Sequence, residues 1–435
     1  MVLKINRRYL RLAMIVAMIV AIVYVCLEVL LGVTFNCINV VIVILSTLIT
    51  CLAAISIKVQ GIFLYNVFLC SFFGVLIFNN FNISALQMEK TITDIYYYFF
   101  GPLVFAEILY LFERKKIKYY FSGFQLNPNF LGGVIAGLCI IFYLRVFSMT
   151  GIRAFGNEWL SSQSSNYVIQ GSSGMSNLFM WLCLMMVPVV NKKLKIILII
   201  IPFFCAFLSA SRGDIMRIAL YLLMMWMAFA GKKIATRRNI RKFMIIVAII
   251  LVFFSAYGNY RQEKRGWNST IGYMLQSKVD NDVINWAYAY SAINFDVLKL
   301  YTSSEPTMEI ELLYTPIMRI TEGADAVENY YNSMYISGLH GFNAATFLSY
   351  FIKETGYFYF FQVAILAIII GIMDKICLSI NFKGGHIFLL MLTTLNVFGN
   401  YYLIVSLLYS LIAGMILYFI SDIKKAREKT LLLKS

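Results

Sequence analysis

Long uninterrupted runs of apolar residues constrain this chain more than any other feature. Two examples are IVAMIVAIVYVCLEVLLGV near the N-terminus and FQVAILAIIIGIM in the last quarter. A helix needs about 20 apolar residues to cross a bilayer core. Because lipid offers no hydrogen bonds, backbone that crosses it is expected to be helical. With 61% hydrophobic and 13% charged residues, the composition favours an all-α polytopic membrane protein over a soluble domain.

The hydropathy pattern predicts about twelve transmembrane helices. We expect them at residues 10–33, 37–57, 60–78, 93–112, 129–149, 176–191, 194–211, 214–230, 242–260, 355–374, 385–402 and 403–421. The first is also expected to act as the targeting signal, since it is too long for a cleavable signal peptide. The chain then divides into residues 1–260 with nine spans, a large loop at 261–354, and residues 355–435 with three spans and a tail.

The distribution of basic residues predicts the orientation. With the N-terminus inside, most of the 37 Lys and Arg residues fall in short cytoplasmic segments such as 114–118, 192–195 and 232–242. This is the positive-inside pattern, and it accounts for the net charge of +16 without nucleic acid as a partner. We therefore predict a multi-pass membrane protein, with both termini in the cytoplasm and the loop at 261–354 outside.

The large external loop has apolar residues at helical spacing in VINWAYAYSAINFDVLKLY and ELLYTPIMRI. This spacing predicts short amphipathic helices that lie over the spans. The sequence has neither a P-loop nor a G-x-G-x-x-G unit. Its eight cysteines form no C-x-x-C pair, so they predict neither a zinc site nor a disulfide framework.

The string LSASRGD lies at the external junction of the seventh and eighth predicted spans. Ser211 and Asp214 have capping-box spacing. The amides of a helix start attract anions, and Arg212 adds a guanidinium there. Arg217 follows one turn later, with Asp214 as an available partner. The string is therefore either a phosphate or pyrophosphate site or a capped helix with a structural Arg–Asp pair.

Further basic residues, Arg261, Lys264 and Arg265, follow the ninth predicted span on the external side. Positive charge there opposes the usual bias. The residues either contact lipid headgroups or form a cationic rim for an anionic lipid-linked substrate.

Candidates for a general base occur later in the external loop. Glu322, Asp325 and Glu328 form an i, i+3, i+6 stripe, which is either a solvated helix face or the source of a base. His340 is one of two histidines and is a further candidate. The other, His386, is expected at the cytoplasmic end of a span in a structural role.

Three of these features together resemble bacterial O-antigen or capsular repeat-unit polymerases of the Wzy type, which are related to O-antigen ligases. They are the LSASRGD string, the large late external loop, and the run from His340 and Asn343 to Glu354-Thr355-Gly356 before the tenth span. Two residues separate His340 from Asn343, whereas the two are often adjacent in ligases. That difference favours a polymerase.

The resemblance implies a GT-C-like glycosyltransferase of the bacterial cytoplasmic membrane that needs no metal or other cofactor. Its substrates would be undecaprenyl-pyrophosphate-linked glycans. Membrane lipids would surround it, and a chain-length regulator would be a further partner. The alternatives are a ligase or other GT-C transferase, or a lipid-linked oligosaccharide flippase. Expected site residues are Arg212, Arg217, Arg261 and Arg265 for pyrophosphate, Glu322, Asp325 or His340 as base, and Trp267, Trp286, Tyr330 and Tyr331 for sugars.

Overall fold

The computed structural model describes residues 16, 63–113, 127–152, 172–209, 211–230, 237–264, 270–336, 338–339, 342 and 344–421. Within these ranges the chain is almost entirely helical and has no strand. The prediction of an all-α fold is therefore confirmed for this part of the chain.

Sixteen α-helices make up the described part, and we number them in chain order. They are α1 Leu64–Asn79, α2 Ile92–Glu113, α3 Pro128–Thr150, α4 Ser172–Met186, α5 Lys192–Leu208, α6 Arg212–Ala230, α7 Arg237–Lys264, α8 Ile271–Met274, α9 Asp282–Tyr290, α10 Asn294–Thr302, α11 Thr315–Thr321, α12 Ala324–Met334, α13 Ser349–Thr355, α14 Tyr359–Ser379, α15 Lys383–Thr394 and α16 Val405–Ser421. Short 3-10 helices at Leu312–Tyr314, Gly356–Phe358, Leu395–Val397 and Tyr401–Leu403 connect some of them.

Among the described residues, three helical stretches are long and apolar enough to cross a membrane: Thr93–Glu113, Pro128–Met149 and Ser349–Ser379. Shorter apolar helices occur at Leu64–Asn79, Gly174–Met186, Met244–Tyr260 and Val405–Phe419. Large apolar side chains also point outward from the bundle; Ile141, Ile200 and Ile249 are 60%, 58% and 62% exposed. Such exposure is costly in water and favourable in lipid, as in a helical membrane protein.

Every predicted span from 60–78 onward coincides with a helix for most of its length. The spans predicted at 10–33 and 37–57 lie outside the described residues, apart from Val16. The loop predicted at 261–354 contains the short helices α8 to α12, as its apolar spacing indicated. Its last residues differ from the prediction, because the helical stretch that includes α14 already begins at Ser349.

Close packing of α2 against α14 joins the two halves of the chain. The hydroxyl of Tyr359 accepts a hydrogen bond from Gly101 N at 2.7 Å. A Cβ atom at position 101 would lie 2.3 Å from that tyrosine ring, so only glycine permits this approach. Aromatic side chains fill the adjoining core, where Phe68 of α1 contacts Phe105 and Phe347.

The short helices α8 to α12 cover one end of the bundle, which we call the loop end. Asn79, at the end of α1, donates to Asp296 Oδ2 of α10 at 2.6 Å. Lys299 of the same helix forms a 2.9 Å ion pair with Asp94 in the first turns of α2. The opposite end contains Glu113, the last residue of α2.

Candidate functional site

The start of α6 is built on the LSASRGD string. Ser211 directly precedes the helix, and its Oγ accepts a hydrogen bond from Asp214 N at 3.3 Å. The same hydroxyl donates to Asp214 Oδ2 at 2.5 Å. These contacts have the spacing of the predicted cap and hold the Asp214 carboxylate over the first turn.

Arg217 lies one turn into α6, and its guanidinium makes one hydrogen bond with the described residues. Nη2 donates to Asp214 Oδ1 at 2.6 Å, and Cζ lies 5.8 Å from the centre of the Tyr401 ring. Its Nε is buried and has no hydrogen-bond partner in the described part of the chain. A guanidinium has five N–H donors in a planar fork. Arg217 therefore retains a buried donor for an acceptor that the described residues do not supply.

Tyr401 belongs to a break between α15 and α16. Helix α15 ends at Thr394, and two short 3-10 helices separated by Phe398, Gly399 and Asn400 precede α16. Gly399 has a φ of 151°, a conformation that favours glycine. Non-helical backbone is tolerated at membrane depth only where protein covers it or where it lines a polar cavity. We call residues 395–403 the helix break.

Several polar atoms next to the helix break have no partner among the described residues. They are the Nδ2 and Oδ1 atoms of Asn400 and the Oδ1 atom of Asn294, all buried. Asn294 is fixed beside the break because its Nδ2 donates to Val397 O at 2.7 Å. A buried polar group without a partner costs about 1–3 kcal/mol. A ligand or water that pairs with these atoms and with Arg217 Nε recovers that cost.

The segment around His340 leads back to the same break. Leu339 and Phe342 exchange backbone hydrogen bonds of 3.1 and 2.9 Å. Further along, Phe347 N donates to Asn396 O at 2.9 Å. His340 and Asn343 themselves lie outside the described residues. Of the described residues that flank them, Phe347 contacts the helix break, four positions after Asn343.

The other two candidates for the base lie on the surface. Glu322 directly follows α11, and Asp325 is in the first turn of α12. Both side chains are exposed. Among the described residues, no hydrogen bond or ion pair fixes either carboxylate. The structure thus leaves these two solvated, and a catalytic role for either one stays a prediction.

Two of the remaining cationic candidates can be placed only by their backbone. Arg212 is the first residue of α6, and Arg261 lies in the last turn of α7. Arg265 and Trp267 lie outside the described residues. The pyrophosphate roles of Arg212, Arg261 and Arg265 therefore also stay predictions.

The aromatic residues expected to hold sugars make internal contacts instead of presenting open rings. Trp286 is buried, and its Nε1 donates to Asn259 Oδ1 at 2.7 Å. The hydroxyl of Tyr330 donates to Glu354 Oε1 at 2.9 Å. The ring of Tyr331 packs against that of Tyr330. Sugar binding by these three residues is untested, and each has a structural contact that the sequence did not indicate.

Glu354 connects several elements of the loop end, although the sequence indicated it only as part of the string Glu354-Thr355-Gly356. Its side chain is fully buried. Oε1 accepts hydrogen bonds from Glu311 N and Leu312 N, each at 2.7 Å, as well as from Tyr330. The carboxylate therefore ties α13 to both the Leu312–Tyr314 turn and α12. The sequence signal that could have indicated this role is the position of Glu354, an acidic residue in the segment that leads into the apolar run of α14.

A second buried polar cluster joins α10 to the segment before α2, and the sequence did not indicate it either. Asp296 is 1% exposed and accepts from Asn79 Nδ2 and from Met88 N at 3.0 Å. Burial raises the pKa of its carboxyl to about 6, against the opposing effect of Lys90. Lys90 is 4% exposed, and burial lowers the pKa of its ammonium. The cluster fixes the loop end and is closed to a substrate.

A third cluster lies at the opposite end of the bundle. His386 Nδ1 of α15 lies 2.6 Å from Asp374 Oδ1 of α14. The adjacent Lys375 is also buried. Glu113 Oε1 accepts a hydrogen bond from Tyr65 N at 3.2 Å. Across the ranges that the structure covers, no group of three or more His, Cys, Asp or Glu is placed to hold a metal ion.

Comparison with known proteins does not assign a family. No protein-family model, curated protein or solved structure matches this chain.

Proposed function

We propose that this protein polymerises undecaprenyl-pyrophosphate-linked oligosaccharide repeat units into O-antigen or capsular polysaccharide. In this proposal it is a GT-C-like membrane enzyme with about twelve spans. Its loop end faces outward from the bacterial cytoplasmic membrane, and both termini are cytoplasmic. The observation that carries the proposal is Arg217, paired with Asp214 and holding an unused buried donor next to the helix break.

The leaving group explains why such an arginine is needed. The acceptor hydroxyl oxygen attacks the anomeric carbon of the donor sugar, and the bond from that carbon to the phosphate oxygen breaks. Undecaprenyl pyrophosphate leaves with the electron pair, and the hydroxyl proton passes to a base. Fixed donors aimed at the developing charge on the phosphate lower the barrier. Arg217 and the amides at the start of α6 supply such donors, and Arg212 adds a further charge.

The base remains open among Glu322, Asp325 and His340. His340 is supported because Phe347, seven positions later, donates a hydrogen bond to the helix break. Asn400 and Asn294 provide amide groups there that suit sugar hydroxyls. A residue that takes a proton must reach the reacting hydroxyl directly or through one water.

The test is polymerisation of purified lipid-linked repeat units by Arg217→Lys, with Arg319→Lys as the matched control. Arg319 is an exposed arginine of α11 at the same end. Lysine keeps the positive charge but lacks the planar fork and Nε. We expect Arg217→Lys to lose about ten- to a hundredfold in rate, as for one lost charge-assisted hydrogen bond. Arg319→Lys should retain the wild-type rate.

Arg212→Ala should likewise abolish polymerisation while expression in the membrane is maintained. Wild-type chain length in Arg217→Lys would refute the pyrophosphate assignment. In cells, deletion of the gene should leave single repeat units on the lipid carrier or its acceptor. Long chains that accumulate without attachment would instead support a ligase.

A second candidate function, a flippase, is supported by the buried ionisable residues at the opposite end. Asp374, Lys375, His386 and Glu113 occupy that end of α2, α14 and α15. Buried ionisable groups within spans are frequent in ion-coupled transport. Transbilayer movement of a lipid-linked oligosaccharide by the protein in vesicles, without any elongation, would favour this alternative.

A further inference from the structure

An open groove lies at the loop end between α8 and α9. It has a volume of about 1140 Å³, and its lining includes Tyr273, Gln276, Lys278 and Asp280. Pockets for single small molecules are about 300–1,000 Å³. The groove therefore has room for more than one sugar ring. None of the residues predicted from the sequence to bind substrate lines it.

The floor of the groove is rigid because buried hydrogen bonds hold it. Asn285 is 2% exposed; its Oδ1 accepts from Ser277 Oγ at 2.6 Å, and its Nδ2 donates to Val279 O at 3.0 Å. The segment also pairs with the chain after α1, since Lys278 N donates to Ile83 O at 2.8 Å. A binding surface held in this way loses little entropy when it takes up a ligand.

The rim combines an aromatic face with free polar groups. Tyr273 is 77% exposed. In the part of the chain that is described, neither its hydroxyl nor the side chains of Gln276 and Asp280 make a hydrogen bond. Amides and carboxylates pair with sugar hydroxyls, and a tyrosine ring covers the apolar face of a sugar.

The charge and polarity of the groove do not suit the two other parts of the proposed substrate, the pyrophosphate and the polyprenyl chain. Among the described lining residues, Lys278 is the one that is basic, and its Nζ donates to Asn82 Oδ1 at 2.8 Å. The same lining includes two carboxylates, those of Asp280 and Asp282. This balance does not suit a pyrophosphate, which needs excess positive charge. The charged and amide side chains in the lining do not suit a polyprenyl chain.

The groove adjoins the candidate site through a shared apolar cluster. Ile271, Leu275 and Trp286 are buried members of this cluster and lie below the groove. Met216, directly before Arg217, and Phe342 pack against the same cluster. Helix α6 and the groove floor thus pack against the same apolar cluster.

We propose that this groove binds the uncharged, hydroxyl-rich part of the glycan strand, away from the reacting bond, and so holds the strand between successive additions. This inference rests on the proposed polymerase function. Loss of the groove should shorten the product without preventing the first addition, because the reacting groups lie elsewhere.

The experiment uses the full-length protein with the double substitution Tyr273→Ala and Asp280→Asn. Tyr335→Ala is the matched control, since Tyr335 is 47% exposed elsewhere at the loop end. The probe is delipidated oligosaccharide of several repeat units, prepared from the polysaccharide of the strain that carries the gene. Binding is measured by calorimetry in detergent, and chain length by gel analysis. Unchanged thermal unfolding and tryptophan fluorescence verify the fold of each variant.

We expect the double variant to bind the oligosaccharide about tenfold more weakly, as for one lost hydrogen bond to a charged group. Its product should be shorter, with the rate of the first addition unchanged. Wild-type affinity in the double variant would overturn the proposal, and so would an equal loss in Tyr335→Ala. Shorter product with wild-type glycan affinity would also overturn it, because the groove would then bind a protein regulator. If the wild-type protein binds the oligosaccharide but elongates nothing, the polymerase proposal fails separately.

Discussion

The sharpest prediction about the loop end concerns the carboxylate of Glu354. Its Oε1 accepts three hydrogen bonds, from the backbone of Glu311 and Leu312 and from the Tyr330 hydroxyl. Glu354→Ala leaves three donors without an acceptor, of which Leu312 N and the Tyr330 hydroxyl are buried and Glu311 N is partly buried. At about 1–3 kcal/mol for each donor, the loss is roughly 3–9 kcal/mol, and entry of water brings it toward the lower value. Glu354→Gln retains one carbonyl oxygen and should lose much less.

The predicted loss is local, because these donors lie in the Leu312–Tyr314 turn and in α12. Limited proteolysis in detergent should therefore cut residues 305–323 of Glu354→Ala before any other described segment. The melting temperature should decrease in the order wild type, Tyr330→Phe, Glu354→Ala. Tyr330→Phe removes only one of the three donors, a loss of about 1 kcal/mol. Glu328→Ala, an exposed acid of α12, is the matched control. Wild-type proteolysis and melting in Glu354→Ala would refute the anchoring role.

Two further predictions concern packing and pH. The pKa of Asp296 is about 6 in the fold against an ordinary 3.8. The folded state therefore binds more protons between these values, and stability should decrease by up to about 3 kcal/mol as pH rises from 3.8 to 6. Asp296→Asn should remove this slope in pH-dependent melting, and an unchanged slope would contradict the assignment. Gly258→Ala should destabilise by about 1–3 kcal/mol through overpacking, since its Cβ would lie 2.7 Å from Trp286. Gly133→Ala, with nothing within 4 Å of its Cβ, should melt as wild type, and equal melting of both variants would refute the packing argument.

The helices could be predicted because their signal is local. An apolar run of the necessary length identifies a helix wherever it occurs, and α2 and α3 begin within a residue of their predicted starts. The cap at Ser211 was equally local, since Asp214 is three residues away. Hydropathy also placed a boundary between two spans at residues 402 and 403. It did not indicate the 3-10 turns and buried asparagines of the helix break.

The polar clusters could not be predicted, because their partners are distant in sequence. Asn79 and Asp296 are 217 positions apart. Glu354 reaches Leu312 across 42 positions. Spacing also does not reveal which face of a short helix is covered. Trp286 was expected to meet sugars, but α9 turns its indole toward Gly258 and Asn259. Tertiary packing decides these positions.

The two ends of the bundle differ in a way that bears on the choice between enzyme and transporter. At the opposite end, His386 and Asp374 are paired at 2.6 Å. At the loop end, Arg217 Nε and the Asn400 amide are buried without a partner in the described part of the chain. Alternating access needs a substrate site near the middle of the membrane that both sides reach in turn. The Asn66 amide, toward the opposite end, is also buried without a partner among the described residues. The arginine donor, which is the group suited to a pyrophosphate, lies at the loop end, as a reaction at one face requires. The asymmetry therefore favours the polymerase proposal over the flippase.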